Sequence, residues 1–367
     1  MSMGNRIGFK GEIDKKTLFT LKYGAFIVET EEAVGTLLGV TTADGKVFIG
    51  DAEFDIVSLQ NEWENTLEKV FPTTVPNFGD EKVEPFGCTI RTSHAPSIKV
   101  AKPHVVIPVF PGTNCEYDTM RRFEKAGAVA DIFVLRNLSA QALEDAVDEF
   151  VKLLGNAQIM MIPGGFSGGD EPDGSGKFIT AVLRNPKVKE AVTELLEKRD
   201  GLALGICNGF QALVKSGLLP FGRIMDEMDQ NCPTLTFNTI GRHQSMMVQT
   251  RIASVKSPWL TRVNVGDIHS IPISHGEGRF YASEDVVKKL AANGQIATQY
   301  VDLAGNPTMD IRFNPNGSVC AIEGILSPDG RILGKMGHSE RIGRNVAINI
   351  EGDKDQHLFE SGVAYFN

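Results

Sequence analysis

The sequence has no long apolar run: nothing in it approaches the roughly 18 consecutive apolar residues of a membrane-spanning helix. It has no block of lysine and arginine either, and its formal net charge is −9. A nucleic-acid surface is therefore not expected, and a small molecule or protein is the better partner. Its five cysteines, Cys88, Cys115, Cys207, Cys232 and Cys320, are an odd, scattered set without a CxxC pair. That excludes a disulfide framework or a cysteine zinc site as the organising principle, and no metal is expected. The opening Met-Ser-Met-Gly-Asn shows neither a charged n-region nor an apolar h-region, so no signal peptide is expected and the cytoplasm is the simplest compartment. There is no internal repeat and no low-complexity tract.

What the chain does contain is 367 residues of ordinary globular composition, 42% hydrophobic and 23% charged, enough for two or three domains. Residues 1–75 read as a small α+β segment. A strand is expected over Leu18–Val28, and a hairpin at 37–42 and 46–50 around Ala43-Asp-Gly45. An amphipathic helix is expected over Ser58–Val70, with Leu59, Trp63, Leu67 and Val70 on one face. Residues 76–102 carry several prolines and little periodicity, which reads as a linker.

From 103 to 367 apolar strands alternate with helices. Strands are expected over His104–Phe110, Asp131–Leu135, Ile159–Pro163 and Leu202–Ile206, and Ser139 caps a helix with Leu143, Val147, Phe150, Val151 and Leu154 on one face. Such a pattern predicts an α/β fold, an open and mostly parallel sheet with helices on both faces. Ligands of these sheets sit beyond the carboxyl ends of the strands. Pro111-Gly-Thr-Asn114, Gly164-Gly-Phe-Ser167 and Cys207-Asn-Gly209 all fall there.

Gly205-Ile-Cys207-Asn-Gly209 places a thiol between glycines at a strand-to-helix turn. Glycines permit the sharp turn that lifts a nucleophile off the sheet, and the following helix N-terminus favours negative charge. A buried packing cysteine fits the same position, and the pattern alone leaves both readings open. Gly164-Gly165 offers a backbone N–H for an oxyanion. The stretch 164–177 is not a phosphate loop, because Glu171 stands where the first glycine belongs and Asp170, Glu171 and Asp173 would repel phosphate. Two His-x-Glu pairs, His275/Glu277 and His338/Glu340, follow apolar runs and compete for the role of base.

"GICNGFQ" followed by a distant His-x-Glu-Arg resembles the class I, triad glutamine amidotransferases, whose sheet is flavodoxin-like. Asn208 and Phe210, with "PGGFSGGD" and "SHGEGR", bring residues 103–367 close to the glutaminase domains of phosphoribosylformylglycinamidine synthases. The resemblance implies a catalytic triad of Cys207, His338 and Glu340 and an oxyanion site at the backbone of Gly165 and Asn208. It also implies glutamine contacts from Phe166, Gln211 and His275. A proline between His338 and Glu340 is usual in the family; here it is Ser339. "LKYGAFIVETEE", "LLGVTT" and "WENTLEKVFPT" resemble the tail of the synthetase portion of the large, fused form. The implied activity is glutamine hydrolysis supplying ammonia for purine biosynthesis, as part of an ATP-dependent ligase. No cofactor is expected in this chain; ATP and Mg²⁺ belong to the synthetase portion, the expected partner beside glutamine. Another cysteine hydrolase of the same fold, or a non-catalytic regulatory subunit, are the alternatives.

Overall fold

A computed structural model of the chain describes residues 2–72, 75, 81–92, 94–167 and 176–367. They form two compact units, Met1–Thr74 and Val75–Asn367.

The first unit has strands β1 (Gly8–Gly11), β2 (Gly39–Thr42), β3 (Lys46–Ile49) and β4 (Ala52–Asp55), followed by helix α1 (Ile56–Asn65). The expected hairpin is not formed. β1 lies between β2 and β3, antiparallel to the former and parallel to the latter. Asp44 takes the Thr42 hydroxyl (2.7 Å) and the Lys46 N–H (3.0 Å), so the turn is tied to its own carboxylate and the strands diverge around β1. No strand forms over Leu18–Val28, because among the described residues no neighbouring strand offers it a ladder. Its Tyr23 and Phe26 are 95% and 90% exposed. α1 is capped by Asp55, which accepts from Ser58 N at 2.8 Å, but it stops at Asn65, short of the expected Val70. Trp63, Leu67 and Val70 face solvent.

In the second unit, β5 (His104–Val109), α2 (Glu116–Lys125), β6 (Val129–Val134), α3 (Ala140–Asn156) and β7 (Ile159–Ile162) alternate as expected. α4 (Pro186–Thr193), β8 (Leu202–Ile206) and α5 (Asn208–Ser216) continue the pattern. Every residue of β7 and β8 is buried. Since neighbouring side chains of a strand point to opposite faces, both faces of the sheet are covered. Ser139 caps α3 through Ala142 N, and Val147, Phe150 and Leu154 form its buried stripe, each worth about 1.5–3 kcal/mol.

Beyond α5 come β9 (Gln244–Ile252), β10 (Ile268–His275), β11 (Ile296–Val301), β12 (Ile322–Leu326), β13 (Ile332–Lys335) and α6 (Leu358–Ala364). The sheet order is β10-β9-β11-β12-β13-β8-β7-β5-β6. The pairs from β13 to β6 are parallel, and those from β10 to β13 antiparallel. The α/β expectation holds, with a mixed sheet in place of a mostly parallel one. Only the β12–β13 connection is short, running from Leu326 to Ile332, and that pair is antiparallel as a tight connection requires.

The segment expected as a linker belongs to this unit. Cys88 exchanges backbone hydrogen bonds with Ala253 and Val255, Phe86 N donates to Gln299 Oε1 at 2.9 Å, and Val100 N donates to Phe366 O at 2.8 Å. Arg91 spreads its guanidinium over the carbonyls of Leu260, Thr261 and Val263. Prolines had hidden an arm whose backbone is satisfied by the sheet instead of by its own periodic structure. Among the described residues no helix is long and apolar enough to cross a membrane.

Candidate active site

β8 ends at Ile206 and α5 starts at Asn208, leaving Cys207 alone at the corner with φ 52° and ψ −106°. A non-glycine residue in this region is strained and persists only where its surroundings enforce it. The flanking glycines show what enforces it. A Cβ on Gly209 would lie 2.0 Å from Ile162 O, and one on Gly205 would lie 2.8 Å from the Gly209 carbonyl. The strand, the turn and the helix therefore pack backbone against backbone. Cys207 N donates to Lys335 O at 2.8 Å, and its Sγ points to Ser274 O at 3.7 Å.

His338 and Glu340 follow β13, the strand beside β8. His338 Nδ1 meets Glu340 Oε1 at 2.6 Å, and both side chains are fully buried. Burial by itself would lower the imidazole pKa, but the Glu340 carboxylate and Cys207 overcome it and raise it well above the usual histidine value. Burial pushes Glu340 upward, and His338 reverses that, leaving the carboxyl below its ordinary value. Nε2 of His338 is buried without a hydrogen-bond partner among the described residues. Ser339, standing where the family has proline, donates its hydroxyl to Gln356 Oε1 at 2.7 Å, so a side-chain bond holds this turn.

The other pair is built differently. His275 Nδ1 meets Asn238 Oδ1 at 3.1 Å, not Glu277. Burial, helped by His338 and His243, lowers its pKa to about 3, so it is neutral at any physiological pH. Its Nε2 is buried and unpartnered among the described residues. Geometry thus separates two motifs that spacing could not.

Gly165 takes φ 151° with its backbone beside Thr113, and no backbone carbonyl among the described residues engages its N–H. Asn208 is the first residue of α5, so its N–H has no intrahelical partner. Asn208 Oδ1 accepts from Ser167 N at 3.2 Å, joining these two strand ends. Phe166 is half-buried, with its ring 6.0 Å from that of His243. Gln211, expected to contact substrate, is buried and used internally: Oε1 accepts from Asn208 Nδ2 at 2.9 Å, and Nε2 donates to Glu277 O. It ties the elbow helix to the 275–278 turn, a scaffold role. Asp170, Glu171 and Asp173 lie outside the described residues.

Three residues outside the expected site set stand beside His338: Gly164, Cys115 and Arg341. A Cβ on Gly164 would lie 2.7 Å from His338 Cε1 and 3.2 Å from Cys115 Sγ. Gly164→Ala is therefore expected to push the imidazole off its position and lower turnover of the site's substrate tenfold or more, a loss steady-state kinetics would read directly. Cys115 is buried, with Sγ 3.9 Å from His338 Nδ1, and Arg341 Nη2 donates to it at 3.0 Å. Cys115 directly follows the Pro111–Asn114 strand end, and that position was the available signal.

Ligand atoms of Cys115, His338 and Glu340 lie within 4.8 Å of one another. A metal there would have to displace the Arg341 cation and separate the His338–Glu340 pair, and the donor set does not favour one. Asp355, His357 and Glu360 form a second such group, but Arg122 already neutralises Asp355 and Glu360 at 3.0 and 3.2 Å.

Residues 102–366 match the family model of the CobB/CobQ-like glutamine amidotransferase domain. A Methanococcus maripaludis protein called phosphoribosylformylglycinamidine synthase subunit PurQ is 35% identical over 288 residues, 74% of this chain and 99% of that relative. The Salinibacter ruber protein of the same name is 34% identical over 259 residues, 70% of this chain and 93% of its own length. Among solved structures, a chain of PurLQS from Thermotoga maritima is similar with a TM-score of 0.52 and 25% identity, over 72% of this chain and all of that one.

Proposed function

Because the chain belongs to the CobB/CobQ-like glutamine amidotransferase family, in its PurQ-like branch, we propose that Cys207, His338 and Glu340 hydrolyse glutamine through a glutamyl thioester. The observation that carries the mechanism is the strained Cys207 corner set beside the buried His338–Glu340 pair. The activity is that of the glutaminase part of phosphoribosylformylglycinamidine synthase. Cys207 Sγ attacks the side-chain amide carbon, and the oxyanion is held by the N–H groups of Gly165 and Asn208. His338 delivers a proton to the departing ammonia, then takes one from the water that cleaves the thioester. Glu340 holds the ring by Nδ1 and stabilises its charged form. Phe166 and His275 bound the glutamine site.

The ammonia goes to a synthetase partner, where ATP and Mg²⁺ act; the steps in this chain need no cofactor. Residues 1–74 form the end of that synthetase portion in a fused enzyme. Their exposed Phe19, Tyr23, Phe26 and Trp63 support this reading, since such apolar surface is what the rest of a synthetase would cover. The test is glutamate release from glutamine by the full chain, with and without a synthetase portion. Turnover should rise when the synthetase portion is added, and release of acid from other amides but not from glutamine would overturn the assignment.

Since His275 stays neutral, His275→Gln is expected to raise KM for glutamine about tenfold, the loss of one hydrogen bond, and to leave the shape of the pH–rate profile unchanged above pH 5. A displaced pH limb in that variant would assign it a proton-transfer role.

A further inference from the structure

Behind the dyad lies a buried ion pair with no assigned role. Lys335 Nζ and Glu323 Oε1 are 3.2 Å apart, with side chains 1% and 0% exposed. Burying two charges is costly unless hydrogen bonds complete them, so what they bond to matters. Both converge on one residue. Glu323 Oε1 accepts the Gly337 N–H at 2.6 Å, and Lys335 Nζ donates to the Gly337 carbonyl at 2.9 Å. Glu323 Oε2 is held in turn by the Thr298 hydroxyl. A Cβ on Gly337 would lie 3.0 Å from both Glu323 Oε1 and Lys335 Nζ and 2.7 Å from Ile271 Cγ2, so the clamp closes only on glycine. Gly337 immediately precedes His338, whose own N–H donates to Pro272 O at 2.8 Å. The main chain of Lys335 is engaged as well, because its carbonyl receives the Cys207 N–H at 2.8 Å.

We propose that Lys335 and Glu323 are positioning residues for the reaction: the pair grips the backbone N–H and the carbonyl of Gly337, in the two peptide groups that flank it, and thereby sets His338 relative to Cys207. One residue, Lys335, braces both halves of the dyad, the nucleophile through its backbone and the turn to the base through its side chain. Neither residue touches substrate. The inference rests on the glutaminase reading for its kinetics, so its test includes a measurement that needs no glutamine.

The variants are Lys335→Met, Glu323→Gln, the uncharged double variant, and Thr298→Val as a milder perturbation. Each is assayed in the full chain for thermal stability, for kcat and KM on glutamine, and for the pH dependence of Cys207 alkylation by iodoacetamide. The single variants leave one buried charge unpaired, and a marked loss of melting temperature is expected. The double variant is expected to recover most of that stability, while its kcat stays at least tenfold below wild type with KM within about threefold. Its alkylation profile should also differ from wild type, because His338 no longer sits in place beside the thiol. Thr298→Val should shift kcat in the same direction by a few-fold, and it supplies the result if the double variant does not fold. Wild-type kcat and a wild-type alkylation profile in the folded double variant, or in Thr298→Val should the double variant fail to fold, would overturn the proposal. If wild type itself hydrolyses no glutamine but its alkylation profile still depends on Lys335, the clamp stands and the glutaminase reading falls.

Discussion

Cys207→Ala is expected to reduce glutamine hydrolysis by at least about 10⁴-fold, the scale on which removing a triad nucleophile acts. The same variant should leave ammonia-dependent synthesis by the partner synthetase unaffected, because that reaction bypasses the thiol. The expected loss is large because no other group can replace the sulfur. Cys115 Sγ is near His338 but is engaged by Arg341, and its residue stands at the start of α2, not at the strained turn after β8. The change should cost little stability, because alanine needs less room than cysteine and the corner is enforced by Gly205 and Gly209, not by the side chain. The check is a pair of assays on one preparation, glutamate release and ammonia-dependent product formation. Equal losses in both would mean that the variant had damaged the fold or the partner contact. Retained glutamine turnover would remove Cys207 from the mechanism.

Glu340→Gln has the next largest effect, an expected loss of about 10²–10⁴-fold in kcat with a smaller change in KM. The amide oxygen can still accept from Nδ1, so ring orientation survives in part. What is lost is the negative charge that, with Cys207, holds His338 protonated against the pull of burial. Without that carboxylate the His338 pKa falls. The imidazolium needed to protonate departing ammonia is then present only at lower pH, so the alkaline limb of the pH–rate profile should move toward acid. An unchanged limb, or one that moved toward alkali, would contradict this account. Removing one charge from a fully buried pair also costs on the order of 3–5 kcal/mol in general. A melting curve should therefore accompany the kinetics, and rates should be normalised to folded protein.

Much of the α/β unit was legible because its determinants are local. Runs such as Ile159–Ile162 and Leu202–Ile206 are short, continuous and apolar, and Ser139 announces a helix start. The first unit was read less well for the converse reason. Leu18–Val28 has strand composition but no neighbour to pair with, and β1 inserts into what looked like a hairpin. Strand pairing is a long-range property that a local pattern does not encode. The arm over 81–92 and 94–102 shows no local pattern for the same reason, since hydrogen bonds such as Phe86 N to Gln299 and Arg91 to Val263 reach residues more than a hundred positions away.

By itself the sequence determined that a thiol sits at a glycine-flanked turn between a buried strand and a helix. It also determined that two His-x-Glu pairs follow later apolar runs, because glycine tolerance and apolar periodicity are properties of neighbouring residues. Spacing left the two pairs equal and the family resemblance pointed to His338; only the tertiary structure supplied the physical reason. Nδ1 of His338 meets Glu340, whereas Nδ1 of His275 meets Asn238 from a different segment. It likewise turned Gln211 inward and brought Gly164, Cys115 and the Lys335–Glu323 pair to the back of the dyad. A pKa or a hydrogen-bond partner depends on groups within a few ångströms in space, and in a sheet wound in this order those groups come from strands far apart in the chain.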